Sequence, residues 1–146
     1  MLRVSKLTDY AVLVMSYLAA RPDVMVSANG LAEELKLPMP TVSKILKCLL
    51  QHQLLLSQRG PTGGYRIGRA PEKITVLQII NALEGPLAVT ECSSFNSACV
   101  IEKDCSLRHQ WIGINQLIAD SLNQIDLVRL NQGLPAKNNK KGVKAL

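Results

Sequence analysis

Aromatic residues are scarce: three Tyr, one Trp and one Phe make up 3% of 146 residues. Single-strand nucleic-acid binders stack bases on aromatic platforms, so that class is disfavoured. No apolar run reaches the roughly 18 residues that a membrane span requires. The opening MLRVSKLTDY has no uninterrupted apolar stretch and no small-residue cleavage site, so no secretory leader is expected. There is no C-x-x-C pair, the usual mark of a thiol-redox enzyme, and no Cys with an evident neighbouring base. No internal repeat is present. These absences point to a cytoplasmic protein without a membrane partner, and to a binding protein instead of an enzyme.

What remains is a globular composition, 47% hydrophobic and 19% charged. Seventeen Lys and Arg against eleven Asp and Glu give a net charge of +6, which suits a polyanionic partner. The charge is unevenly placed. Residues 1–74 carry ten basic and five acidic side chains, residues 75–136 three and six, and residues 137–146 four lysines and no acid. A basic front and an acidic middle imply divided labour.

Leu7, Tyr10, Ala11, Val14, Met15 and Leu18 recur at helical steps, and Arg21-Pro22 ends that helix. Thr8 and Asp9 are candidate caps at its start. A short second helix begins at Ser27 or Asn29, with Leu31, Ala32 and Leu35 inward. After Leu37-Pro38 a third helix starts at Pro40 or Thr41 and runs to about His52. Its inward residues are Val42, Ile45, Leu46, Leu49 and Leu50. Two short runs around Gly60-Pro61-Thr62-Gly63-Gly64 read as a β-hairpin. Thr75 to Glu84 form a helix stopped by Gly85-Pro86. Three helices followed by a hairpin is the order of a winged helix-turn-helix. The expected fold is therefore mainly α. Residues 1–74 form the winged-helix DNA-binding domain and 75–105 a linking helix and cysteine loop. Residues 106–131 form a long helix and 132–146 a disordered basic tail.

A recognition helix offers its N-terminal residues to base edges in the major groove. Here these are Thr41, Ser43 and Lys44, with Lys47 one turn on, favoured for a phosphate. In the hairpin, Arg59 and Arg66 flank the tip, suited to a minor groove. Gly63 and Gly64 let the backbone approach a phosphate. The alternatives are a solvated lysine face and glycines that serve only the turn.

Cys48, among leucines of the third helix, reads as a small buried hydrophobe. Cys92, Cys99 and Cys105 are spaced x6 and x5 in a stretch with no helical or strand period. Thiols clustered in a reducing compartment suggest metal or redox chemistry more than disulfides. Wide spacing suits an iron–sulfur cluster. Zinc, or a metal-free thiol loop, stays open. Three thiolates leave one ligand position to fill. His109 lies four residues after Cys105, and Asp9 could arrive from a second subunit.

Four motifs carry a family likeness. They are Leu7-Thr8-Asp9-Tyr10-Ala11, the hairpin Arg59-Gly60-Pro61-Thr62-Gly63-Gly64-Tyr65, the helix end Ile79-Ile80-Asn81-Ala82-Leu83-Glu84-Gly85, and three cysteines ahead of a long helix. Together they resemble the Rrf2 family of bacterial repressors over about residues 1–130. Within it they look most like the regulator of the SUF iron–sulfur assembly system. The resemblance implies a winged helix with a long dimerisation helix, and a cluster that reports iron–sulfur or redox status. In IscR-type members the cysteines are spaced x5 and x5, with a histidine ligand three residues after the third. Here Arg108 holds that place and His109 is one further on. In NsrR-type members a first-helix aspartate of the other subunit completes a 4Fe–4S site, and Asp9 matches that motif. The likeness to the SUF regulator favours His109 and a 2Fe–2S cluster. Ser43 stands where IscR-type members carry a glutamate that selects among DNA sites.

The long helix is expected from about Ser106 to Leu130. Leu107, Trp111, Ile114, Ile118, Leu122 and Ile125 form one apolar stripe, and Ile112, Leu117, Val128 and Leu130 a second. A lone helix cannot bury so broad an arc, so two-fold pairing into a homodimer is expected, facing a palindromic double-stranded operator. Folding back onto the winged helix is the alternative.

Overall fold

A computed structural model describes residues 3–90 and 105–134. The first helix, α1 (Lys6–Ala19), is capped by Ser5, whose hydroxyl accepts the Thr8 N–H at 3.2 Å. The cap is thus neither Thr8 nor Asp9. Thr8 is fully buried and Asp9 lies exposed in the first turn. Ala11, Val14, Met15 and Leu18, spaced at three and four, are wholly buried.

Ser27 caps α2 (Ala28–Leu35), accepting the Gly30 N–H at 3.0 Å. Lys36 ends α2 in the left-handed conformation, which turns the chain sharply towards α3 (Met39–Gln51). The α3 start follows Pro38, with Pro40 inside the first turn, where no amide hydrogen is needed. Val42, Ile45, Leu46 and Leu49 are buried, while Leu50 and Cys48 are half-buried. Cys48 is therefore less enclosed than its apolar neighbours in sequence suggested.

Strands β1 (Leu55–Gln58) and β2 (Gly64–Ile67) pair antiparallel, in the register Leu55 with Ile67, Leu56 with Arg66, Ser57 with Tyr65 and Gln58 with Gly64. Leu55 and Ile67 plug the root of this hairpin into the core. Val26 bridges to the other edge of β2: its N–H reaches the Tyr65 carbonyl at 3.0 Å, and the Tyr65 N–H reaches back at 2.8 Å. A short 3-10 turn, Pro71–Lys73, leads to α4 (Val76–Glu84). The start of α4 is a reciprocal capping box between Thr75 and Gln78, and Gly85 at φ +85° ends it.

The long C-terminal helix is broken. It comprises α5 (Arg108–Asn123) and α6 (Leu127–Gln132), separated by an extended step at Ile125–Asp126. That step pairs with the entry to α4. Val76 N–H donates to the Ile125 carbonyl at 2.8 Å, and Leu127 N–H to the Ile74 carbonyl at 3.0 Å. Asp126 then caps α6 by accepting the Arg129 N–H at 2.7 Å. Leu127 is wholly buried in the core with Ile74 and Ile79, and α6 packs on α1 and the 3-10 turn. The physical reason is that two backbone bonds and one buried leucine outweigh continuing a helix through Asn123, Gln124 and Asp126, all weak helix formers apart from Gln.

No residue of α5 is buried. Leu117 is 68% exposed and Leu107 56%, while Trp111, Ile118 and Leu122 are half-buried. Of the two expected stripes, the part beyond Asp126 reaches the buried core, while Ile118 and Leu122 pack only partly, beside α4. An apolar groove of about 570 Å³ opens where α5 passes the end of α4, lined by Ile80, Leu87, Val89, Ile118 and Leu122 among others.

Candidate DNA interface and cysteine segment

The outer face of α3 presents Ser43, Lys44 and Lys47 to solvent, opposite the buried Val42, Ile45, Leu46 and Leu49. Thr41 is half-buried in the first turn. Thr41, Ser43 and Lys44 sit on the half of α3 nearest the α2–α3 turn, and Lys47 lies one turn further on. Hydroxyls and ammonium groups there are free to meet base edges and phosphates.

Arg59 stands exposed at the hairpin tip, where the Gly63 N–H closes the turn on the Gly60 carbonyl at 3.0 Å. Arg66 differs from its expected place beside the tip. It sits opposite Leu56, nearer the root, and lines a cleft with Pro22, Asp23 and Arg69. The glycines have internal reasons to be glycine. A Cβ on Gly63 would fall 2.1 Å from the Gln58 carbonyl oxygen. A Cβ on Gly64, at φ +147°, would fall 2.5 Å from the Val26 carbonyl oxygen. Gly64 thus permits the Val26–Tyr65 rung that fixes the wing to the helical body.

Of the cysteine segment, Cys92 and Cys99 lie outside the described residues. Cys105 is a free, half-buried thiol just before α5, and its carbonyl accepts the Arg108 N–H at 3.3 Å. His109 is exposed in the first turn of α5, and Asp9 is exposed on α1. Among the described residues no group of three or more His, Cys, Asp or Glu is placed to hold a metal ion. The donor types do suit an iron–sulfur cluster: three thiolates with an imidazole or carboxylate is a set that such centres accept.

Three fastenings near this segment were not foreseen from sequence. Glu84, at the end of α4, accepts the Thr8 hydroxyl at 2.6 Å and the Ser5 N–H at 2.9 Å. Those bonds, the Thr8 hydroxyl first, hold its carboxyl below the usual carboxylate range. Asn115 of α5 grips the chain after α4 with both ends of its amide, accepting Val89 N–H and donating to the Leu87 carbonyl, each at 3.0 Å. Asn81 accepts the Leu87 N–H at 3.2 Å. The chain entering the cysteine segment is therefore tied to α1, α4 and α5 at once. Asparagines at these positions carry no local sequence signal, because their partners are six and more than twenty residues away.

The recognition helix, the wing and the helical body together define a winged-helix DNA-binding protein. Residues 4–132 match the Rrf2 model, described as an iron-dependent transcriptional regulator. The chain belongs to the Rrf2 family of transcriptional regulators. It is 30% identical to the HTH-type transcriptional regulator NsrR of Bacillus subtilis over 110 residues, 74% of this chain and 75% of that one. Among solved structures it resembles CymR, the global cysteine regulator of B. subtilis, with TM-score 0.74, 26% identity, and 90% and 98% of the two chains covered. It also resembles T. potens IscR, with TM-score 0.69, 28% identity, and coverage of 90% and 87%. These relatives are named as regulators, not as enzymes. Among the described residues no helix is long and apolar enough to cross a membrane.

Proposed function

We propose that this chain is a cytoplasmic, homodimeric repressor of iron–sulfur assembly genes of the SUF type. It binds a palindromic operator, and its affinity is set by a 2Fe–2S cluster. Cys92, Cys99 and Cys105 hold the cluster, with His109 as fourth ligand and Asp9 of a second subunit as the alternative. When bound, such a cluster supplies an iron centre sensitive to oxidants and to iron–sulfur supply.

The observation that carries the reading is the bracketing of residues 91–104. On one side Glu84 ties the chain to α1 and Asn81 and Asn115 grip residues 87–89; on the other Cys105 opens directly into α5. A change in how the three thiols are held would pull on both the winged helix and α5. The exposed apolar face of α5 and the groove beside it call for a second copy, whose own α5 supplies the matching surface. In the dimer the two α3 helices address two half-sites. Thr41, Ser43 and Lys44 read bases, while Lys47, Arg59 and Arg66 meet phosphates or the minor groove, with Gly63 and Gly64 shaping the wing.

A second reading is a nitric-oxide-responsive regulator of the same fold, favoured by the 30% identity to NsrR and by the exposure of Asp9. One experiment addresses both. The protein is purified without oxygen, iron and sulfide are quantified, and operator affinity is compared with and without the cluster. The expected change is about 5–150-fold, the usual span of allosteric coupling. Ser at Cys92, Cys99 or Cys105 is expected to abolish visible absorbance, and Ser at Cys48 to leave it. Loss of absorbance with Asp9→Ala but not His109→Ala would assign the fourth ligand across the dimer. Protein containing neither iron nor sulfide, with affinity indifferent to both, would refute the proposal.

A further inference from the structure

Among the described residues, Gly60, Gly64, Gly85 and Gly133 stand at positive φ, and so do two residues that are not glycine. These are Lys36, at φ 53°, and Gln53, at φ 56°. A residue with a Cβ is strained in the left-handed region, whereas glycine enters it freely. A long straight side chain at either place therefore lowers stability relative to glycine. The two positions bracket α3. Lys36 ends α2 three residues ahead of Met39, and Gln53 lies two residues beyond Gln51.

The Lys36 side chain does nothing for the turn it occupies. That turn is closed by backbone alone: Lys36 N–H donates to the Glu33 carbonyl at 3.3 Å and Leu37 N–H to the Ala32 carbonyl at 3.0 Å. Lys36 is exposed, and among the described residues its ammonium has no ion-pair partner. Glu33 and Glu34, exposed on the last turn of α2, do not take it. Its place relative to α3 supplies a role. The major groove is about 12 Å wide and a helix with its side chains about 10–12 Å across, so an entering helix fills the groove. The chain just ahead of the entering end then lies against a wall of phosphates. Lys36 is at most about 10 Å of chain from the first residue of α3. Gln53 is at the opposite end of that helix, about 20 Å away.

We infer that Lys36 is a further DNA-contacting residue, whose ammonium bonds a backbone phosphate at the edge of the groove that α3 enters. It anchors the inserted end of α3 and reads no sequence. The inference rests on the DNA-binding reading above, with α3 as recognition helix. Its chemistry is counterion release: one lysine that neutralises one phosphate adds about 0.9 per chain to the slope of log affinity against log salt. Strain at Lys36 is thus traded for affinity, so the two are expected to change in opposite directions when glycine replaces it.

The test compares the unaltered full chain with Lys36→Gly, Lys36→Gln, Lys36→Arg and Gln53→Gly, all purified without oxygen. The probe is a duplex that the unaltered protein selects from a random-sequence pool, titrated at several salt concentrations. Thermal melts are recorded beside it. Lys36→Gly and Gln53→Gly are both expected to melt about 3 °C higher, because each relieves a left-handed residue. Only the variants that lose the charge, Lys36→Gly and Lys36→Gln, are expected to lose about 0.9 of salt slope per chain. Their loss of affinity is then about threefold larger at 50 mM than at 200 mM salt. Lys36→Arg is expected to keep the slope. A slope change below about 0.5 in Lys36→Gln overturns the inference. So does an equal loss of affinity in Gln53→Gly and Lys36→Gly, which would place the effect in a loosened α3 and not in a phosphate contact. If the unaltered protein selects no duplex at all, the DNA-binding reading itself fails.

Discussion

Replacing Leu127 with Ala tests whether the C-terminal helix returns to the core. Leu127 is wholly buried, in the core with Ile74 and Ile79 where α6 meets α1 and the 3-10 turn. Burying a leucine contributes about 1.5–3 kcal/mol by transfer alone, and truncation to Ala in a core costs about 2–5 kcal/mol once the cavity is counted. The upper end is not reached here. A six-residue helix cannot stand alone, so once its anchor is cut α6 can undock and the cavity fills with water. About 3 kcal/mol is expected, a large share of the roughly 7–20 kcal/mol that a chain of 146 residues has in total.

Leu117→Ala is the matched control. It sits on α5 at 68% exposure, so its truncation should cost well under about 1 kcal/mol in the folded subunit. On the proposed dimer face it would weaken association instead. Urea unfolding followed by circular dichroism at several protein concentrations separates the two. With a slope near 2 kcal/mol per molar urea, Leu127→Ala shifts the midpoint by about 1.5 M at every concentration. Leu117→Ala shifts it chiefly at low concentration. A Leu127→Ala shift below about 0.5 M would mean that α6 is not docked and that the helix runs on unbroken.

Two further expectations follow from contacts in the helical body and the wing. The Glu84 carboxyl is held below its ordinary pKa by Thr8 and Ser5, so its contribution is present above the unfolded carboxylate pKa and is lost as pH falls through the folded one. Thr8→Val is expected to cost about 1 kcal/mol at pH 7, reduced from the charged-bond range because Glu84 is exposed, and less at pH 3. An equal cost at both values would show that the bond to Glu84 is not its source. Gly64→Ala is expected to destabilise by about 2 kcal/mol or more, since its Cβ would meet the Val26 carbonyl at 2.5 Å. Gly60→Ala, at φ +112° with open space around it, should cost only about 1 kcal/mol, and thermal melts of equal midpoint would refute the distinction.

The elements most readable in the sequence are those whose signals are local. Leucine and valine spacing in α1 and α3, Ser27 ahead of α2, and Gly85-Pro86 after α4 each act within a turn or two, so their physics is visible in a short window. The exposed face of α3 follows from the same periodicity, which is why Ser43, Lys44 and Lys47 could be placed outward from sequence. The break in the C-terminal helix was hidden because Leu122, Ile125 and Val128 keep the helical step of three across it. Asp126 is a good cap, but an Asp within an apolar helix pattern is common, and only the pairing of Ile125 and Leu127 with residues fifty positions earlier makes it one here.

The same distance in sequence hid the connections around the cysteine segment. Thr8 looked like a cap because it stands at a helix start, yet its hydroxyl is taken by Glu84, 76 residues on. Gly63 and Gly64 looked like phosphate-facing glycines because the hairpin is basic, yet each is also required by a carbonyl of its own chain. Both readings can hold together for the wing: a turn so tightly closed against Gln58 and Val26 presents Arg59 from a rigid base, and a rigidly held cation loses less freedom on meeting DNA than a loose one. For Glu84 and Asn115 the consequence is mechanical. They join the chain ahead of Cys92 to α1 and to α5, so the winged helix and the exposed apolar face are linked through one stretch of backbone. Under the proposed function this link is the route by which a signal held by thiols would alter DNA affinity, by favouring one arrangement of the two recognition helices of a dimer over another.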